Sequence, residues 1–215
     1  MANRLSCIML VIGILPFATA GVAAESLSVG GADARLDQLP GPRASLILIP
    51  GAGGLSQNDP LQRASGKYAE KGFAVLSVDK TTQIRAAMRH MAGIAKPVYV
   101  AGVSAGVRKI GNMVAGGKFK TQGLVLVSGN LQAVREKVGQ PGKLPRTLVV
   151  HHRNDGCTAT SPDQVAKFKK WAGDKVTVRW LEGGDNDGDP CGPRSYHGLA
   201  GLDDAVVDAI ADFLR

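Results

Sequence analysis

The sequence predicts a single α/β domain: a doubly wound, mostly parallel sheet with helices on both faces. Three observations predict it. Short, uninterrupted apolar runs recur along the chain, among them Ser45–Ile49, Phe73–Val78 and Val98–Val103, too compact for helices and typical of strands covered on both sides. Between the runs, apolar residues recur three and four positions apart, the stripe of a helix packed on a sheet. No repeat or shift in composition marks a second domain. The spans between strands are also too short to insert a lid, so a ligand site at the carboxyl ends of the strands would be open.

Taken in order, Ser26 to Leu39 is broken by Gly30-Gly31 and followed by Pro40-Gly41-Pro42, which predicts one or two edge strands. Ser45–Ile49 is the first core strand and runs into Pro50-Gly51-Ala52-Gly53-Gly54, a loop whose glycines leave backbone amides uncovered. Asn58-Asp59-Pro60 predicts a helix start, with Asp59 as cap and Pro60 in the first turn, and Lys71-Gly72 its end. The strand Phe73–Val78 follows, then a helix from Thr82 to Ile94. Val98–Val103 is the next strand, and beyond Ser104 the residues Val107, Ile110 and Val114 mark a helix. Gly123–Val127, Arg146–Val150 and Val176–Leu181 are three further strands. Leu131–Val138 reads as a short helix, and Ser161-Pro162-Asp163-Gln164 as the capping box of another. Leu202, Val206, Ile210 and Phe213 form the last helical stripe, with Asp203 and Asp204 well placed in its first turn.

The first residues differ in character. A cationic start at Arg4, an apolar Leu5 to Phe17 and a small-residue stretch to Ala24 have the layout of a secretory signal peptide over 1–24, with Val22-Ala23-Ala24 or Ala18-Thr19-Ala20 as cleavage signal and 25–215 as the mature domain. This implies a secreted or periplasmic protein. The apolar run is also near the length of a minimal membrane span, so an uncleaved N-terminal anchor is the alternative. Cys7 would leave with the signal, and Cys157 and Cys191 would then pair in an oxidising compartment, the alternative being two buried thiols. The net charge of +8 points to weak attraction to anionic envelope surfaces. It does not point to nucleic acid: the Lys and Arg residues are scattered and no recognition motif is present.

Chemistry concentrates at Gly102-Val103-Ser104-Ala105-Gly106, where a buried strand turns into a helix. In a chain with 28 Gly the pentapeptide alone is a weak signal. Its strand-before, helix-after context resembles the nucleophile elbow of the α/β-hydrolase family, in which a strained turn lifts a serine hydroxyl above the end of the sheet. A serine needs a base to take its proton and an acid to orient that base. Among the four histidines, His90 falls in a helix remote from the strand ends and His151 and His152 are adjacent at a strand end. His197 follows the last strand in a Gly-rich loop, where the family carries its base. Asp155 follows the strand Arg146–Val150, and the order Ser104, Asp155, His197 matches the order in that family.

The resemblance also implies oxyanion donors at the amides of Ala105 and of Ala52, although Pro50 stands where a histidine is common and Gly51 or Gly53 could serve instead. Cys157 and Cys191 flank the acid and base loops, so a disulfide would preorganise the site. Asp185-Asn186-Asp187-Gly188-Asp189 alternates acidic oxygens, but its glycine and the residue at Tyr196 fail the spacing of a calcium loop, so no metal and no cofactor is expected. The resulting expectation is a serine esterase or thioesterase acting on a small or exposed acyl substrate. A peptidase or acyltransferase on the same residues, or a non-catalytic envelope-binding protein, are the alternatives.

Overall fold

The computed structural model describes residues 21–117 and 120–215. The signal expected over 1–24 therefore lies outside the described residues for all but its last four positions. One eight-stranded sheet runs through the molecule: β1 (Ala23–Val29), β2 (Ala32–Gln38), β3 (Ala44–Ile49), β4 (Phe73–Val78), β5 (Val98–Val103), β6 (Leu124–Val127), β7 (Thr147–His152) and β8 (Val176–Leu181), in the spatial order β1-β2-β4-β3-β5-β6-β7-β8. β1 and β2 form an antiparallel hairpin, and β2 is antiparallel to β4. All other neighbours are parallel. Gly30 and Gly31 make the hairpin turn at φ +64° and +83°, values that suit glycine in a tight turn matched to strand twist.

Among the described residues six α-helices cover the sheet: α1 (Ser65–Glu70), α2 (Ile84–Ala92), α3 (Ala105–Ala115), α4 (Leu131–Val138), α5 (Asp163–Ala172) and α6 (Asp203–Phe213). The two faces carry separate cores. Ile84 and Met91 of α2, Val107 and Ile110 of α3, Val134 of α4 and Phe168 of α5 join one of them, while Tyr68 of α1 and Val206 and Ile210 of α6 join the other. Because both faces are covered, β3, β4 and β7 are buried at every position, whereas edge strand β8 alternates between buried and exposed. From β3 the chain crosses to β4 on one side and then to β5 on the other. This puts the reversal of strand order at β3/β5, where a crevice opens beyond the carboxyl ends.

Two expected boundaries move. The helix expected from Asp59 begins as turns and a 3-10 turn at Gln62–Ala64, and α1 starts only at Ser65. Asp59 still caps it, since Oδ1 accepts from the Leu61 and Gln62 amides. The capping box at Ser161 does not form: Gln164 is drawn away, its Oε1 accepting from the Gln132 amide and its Nε2 donating to the Ala159 carbonyl. Tertiary partners outcompete the local cap.

Candidate active site

Ser104 follows β5 and occupies the N-cap position of α3 with φ 51° and ψ −112°, a conformation few residues other than glycine adopt. Its neighbours explain how the turn closes. A Cβ at Gly106 would lie 2.6 Å from the Ile49 carbonyl oxygen and 2.7 Å from that of Pro50, and one at Gly102 would lie 3.0 Å from the Gly106 carbonyl carbon. Only glycine lets β5, α3 and the end of β3 approach this closely. Ser104 is half-buried and lines a cleft of about 250 Å³ with Gly51, Ala52, Gly53, Asp59, Cys191, Pro193 and His197.

Asp155 and His197 meet although they lie on separate loops, and His197 lines the same cleft as Ser104. His197 Nδ1 donates to Asp155 Oδ2 at 3.0 Å, and the two residues are only 3% and 6% exposed. The Cys157 amide donates to Asp155 Oδ1 at 2.9 Å. The Thr160 hydroxyl lies 3.0 Å from both Oδ2 and His197 Nδ1. His151 Nε2 lies 3.3 Å from the same Oδ2, inside ion-pair distance but off hydrogen-bond geometry. Burial pushes the Asp155 carboxyl up, but the imidazoles of His151 and His197 and the Cys157 amide outweigh it and hold it well below the ordinary carboxylate range. It is therefore an anion, able to fix His197 with Nδ1 protonated. His197 Nε2 is buried and has no hydrogen-bond partner among the described residues, so the nitrogen that would receive a proton is uncommitted.

The glycine loop after β3 forms the opposite wall. Asp59 Oδ2 accepts the Gly51 amide at 2.9 Å, which removes Gly51 from the possible oxyanion donors. The amides of Ala52 and Gly53 donate to no described residue, and the Ala52 carbonyl accepts from Lys80 Nζ at 3.3 Å. Ala105 is the first residue of α3, where a backbone N–H has no acceptor within the helix. Desolvation raises the Asp59 carboxyl above its ordinary value, against the three amides and Arg63 that favour its ionised form. Arg63 crosses to the base loop, donating to Asp203 and to the carbonyls of Gly198 and Leu199.

The cysteines do pair: Cys157 and Cys191 are joined with their sulfurs 2.01 Å apart, tying the acid loop to the base loop. The acidic run shapes that base loop from the other side. Asn186 Oδ1 accepts the Tyr196 amide, Asp189 Oδ1 the Cys191 amide, and the Asp187 amide donates to the Arg194 carbonyl. Among the described residues no cluster of three His, Cys, Asp or Glu side chains is placed to hold a metal ion. His90 is exposed on α2, and His152 stacks on Tyr196 and bonds the Gly183 carbonyl, so neither joins the site. Sequence reasoning missed Thr160 and His151. Thr160 sits in a 3-10 turn without a motif, and His151 looked like one of an equivalent pair.

No protein-family model and no curated protein matches this sequence. Solved structures do. Dienelactone hydrolase from Anabaena variabilis superposes with TM-score 0.67 at 14% identity, over 91% of this chain and 97% of that one. Est1E from Butyrivibrio proteoclasticus gives 0.64 at 15% identity, over 89% and 97%. XC6422 from Xanthomonas campestris, described as an α/β serine hydrolase without lid, gives 0.59 at 16%, over 90% and 97%. With the strand order, the crossover at β3/β5 and the strained serine after β5, these superpositions show that the chain has the α/β-hydrolase fold, in a single domain with no lid inserted between the described strands.

Proposed function

We propose that the protein is a serine hydrolase that cleaves esters or thioesters of small or exposed acyl groups through an acyl-enzyme on Ser104. One observation carries this reading: a serine held at φ 51° shares a cleft with a buried histidine whose Nδ1 is fixed by an anionic Asp155 and whose Nε2 is uncommitted.

In this reading Ser104 Oγ attacks the substrate carbonyl carbon while His197 Nε2 takes the hydroxyl proton, and Asp155 stabilises the imidazolium that forms. The carbonyl oxygen becomes an oxyanion, for which the amides of Ala105 and Ala52 are the donors, held by α3 and by the Asp59-anchored loop. Collapse breaks the C–O or C–S bond and the leaving group takes the proton from His197. Water then attacks the Ser104 ester, gives its proton to His197, and the acid departs as Ser104 regains its proton. The cleft is small and lined mostly by Gly, Ala, Ser and Pro, which favours a small or protruding acyl group over a buried long chain. Dienelactone hydrolase and Est1E, which has been solved with ferulic acid bound, add support through their shared fold. The disulfide accords with folding in an oxidising compartment, and we place the protein outside the cytoplasm on that ground together with its N-terminal sequence.

The test is intact mass after a fluorophosphonate probe, beside Ser104→Ala. A single adduct lost in the variant supports the reading. A folded protein that takes up no probe refutes it and leaves a non-catalytic binding protein.

A further inference from the structure

The fold sorts the charges of this chain onto two unlike faces. On the α1/α6 face Lys67 pairs with Asp204, Lys71 with Asp208, Arg63 with Asp203 and Arg215 with Asp212, while Arg43 and Arg146 donate to the carbonyls of Leu214 and Phe213. The opposite layer is different. α2 carries Arg85 and Arg89, and α3 carries Arg108 and Lys109, with no acidic residue on either helix. α4 adds Arg135 and Lys137 against Glu136, and α5 adds Lys167, Lys169 and Lys170 against Asp163. Among the described residues none of these cations forms an ion pair, and all but the half-buried Lys109 are exposed. These four helices thus carry nine cations against two carboxylates.

The arrangement works against folding, since Arg85 and Arg89 stand one helical turn apart, as do Lys167 and Lys170, and like charges at that spacing repel. Cations from separate elements also meet at grooves: Arg135 and Lys167 flank the one between α4 and α5, which Glu136 also lines, and Arg89, Lys96 and Lys120 another at the amino ends of the strands. Four adjacent helices make a broad face, and the aromatic side chains on them are few. Phe168 is buried and half-buried Trp171 packs on it at 5.3 Å, so no aromatic platform for sugar rings or bases is offered. A broad, cationic, aromatic-poor surface matches a plane of negative charge better than a threaded polymer.

We propose that the outer surface of α2–α5 docks electrostatically on an anionic phospholipid bilayer. The cleft is lined by none of these cations, its walls being the loops after β3 and after β8, so docking on this face leaves the cleft uncovered. This proposal stands whether or not Ser104 is a nucleophile.

The test is co-sedimentation of the full chain with phosphatidylcholine vesicles, with and without about 30 mol % phosphatidylglycerol, which isolates attraction to the anionic headgroup from any apolar association. Two variants carry the same change in charge: Arg89→Gln/Arg135→Gln/Lys167→Gln/Lys170→Gln on the face, and Lys67→Gln/Lys71→Gln/Arg153→Gln/Arg215→Gln away from it. The expected result is binding that depends on phosphatidylglycerol, falls at least about tenfold in the face variant and by less than about threefold in the control, and weakens as salt rises toward about 0.5 M. Equal losses in the two variants would show net charge alone at work and overturn the assignment to this face. So would equal binding to both vesicles, or binding to an acidic polysaccharide such as alginate without binding to the vesicles.

Discussion

Removing the disulfide tests how far the site depends on a covalent strap. In Cys157→Ala/Cys191→Ala the denatured chain regains the freedom that a crosslink across 34 residues removes. In the chain-entropy relation a loop of that length corresponds to about 12.6 cal/mol/K, or about 3.8 kcal/mol at 25 °C. For a domain of this size each kcal/mol moves the melting midpoint by roughly 2–4 °C, so a fall of about 8–15 °C is expected in a thermal melt followed by circular dichroism. The strap also bears on the chemistry. The Cys157 amide holds Asp155 Oδ1, and Cys191 opens the segment through Pro193 that lines the cleft. A displacement of even 1 Å between acid and base loops costs on the order of 10²-fold in rate, so kcat/KM on a small ester should fall by about 10- to 100-fold, measured well below the lower midpoint. A midpoint within about 3 °C of the parent would refute the stability argument. An unchanged kcat/KM on fully folded variant would refute preorganisation and leave the bridge structural.

Three further outcomes are expected. Gly106→Ala puts a methyl against the Ile49 and Pro50 carbonyl oxygens, at 2.6 and 2.7 Å, so it should lose about 1–3 kcal/mol in urea titration and react slowly with fluorophosphonate; parent-like labelling would show that the elbow has slack. Asp59→Asn keeps the volume but turns an amide N–H toward the Gly51 N–H, so it should cost about 1–3 kcal/mol and lower kcat more than it raises KM as the donor loop loosens. In acid, the Asp79 carboxyl is held at about 2 by the Thr81 hydroxyl and amide, below its unfolded value of 3.8. Asp155 is likewise depressed. Groups with folded values below the unfolded ones contribute stability that is complete above the unfolded pKa and lost as pH falls through the folded one. The stability gap between parent and Asp79→Asn should therefore be constant above about pH 5 and close toward pH 2, and a gap that widens in acid would contradict the assignment.

Much of this protein could be read locally. The alternation of buried runs with helical stripes, the glycine hairpin at Gly30-Gly31 and the strand-to-helix switch at Ser104 each follow from residues adjacent in sequence, where backbone sterics and periodicity act. The loops after β5, β7 and β8 on which Ser104, Asp155 and His197 stand were legible for the same reason. The helix expected from Asp59 starts late, at Ser65 after a 3-10 turn, and the capping box at Ser161 does not form, because Gln164 finds a partner far along the chain at Gln132.

What the sequence by itself determined is the set of elements and the residue types at their ends. The tertiary structure decided the rest: that β4 and β5 flank β3, that Thr160 and His151 share the Asp155 carboxylate with His197, that Gly51 is spent on Asp59, and that α2–α5 bring their nine cations onto one layer. None of these has a local signature. Each depends on which loops and helices arrive side by side, and that is set by burial on the two faces of the sheet acting over the whole chain.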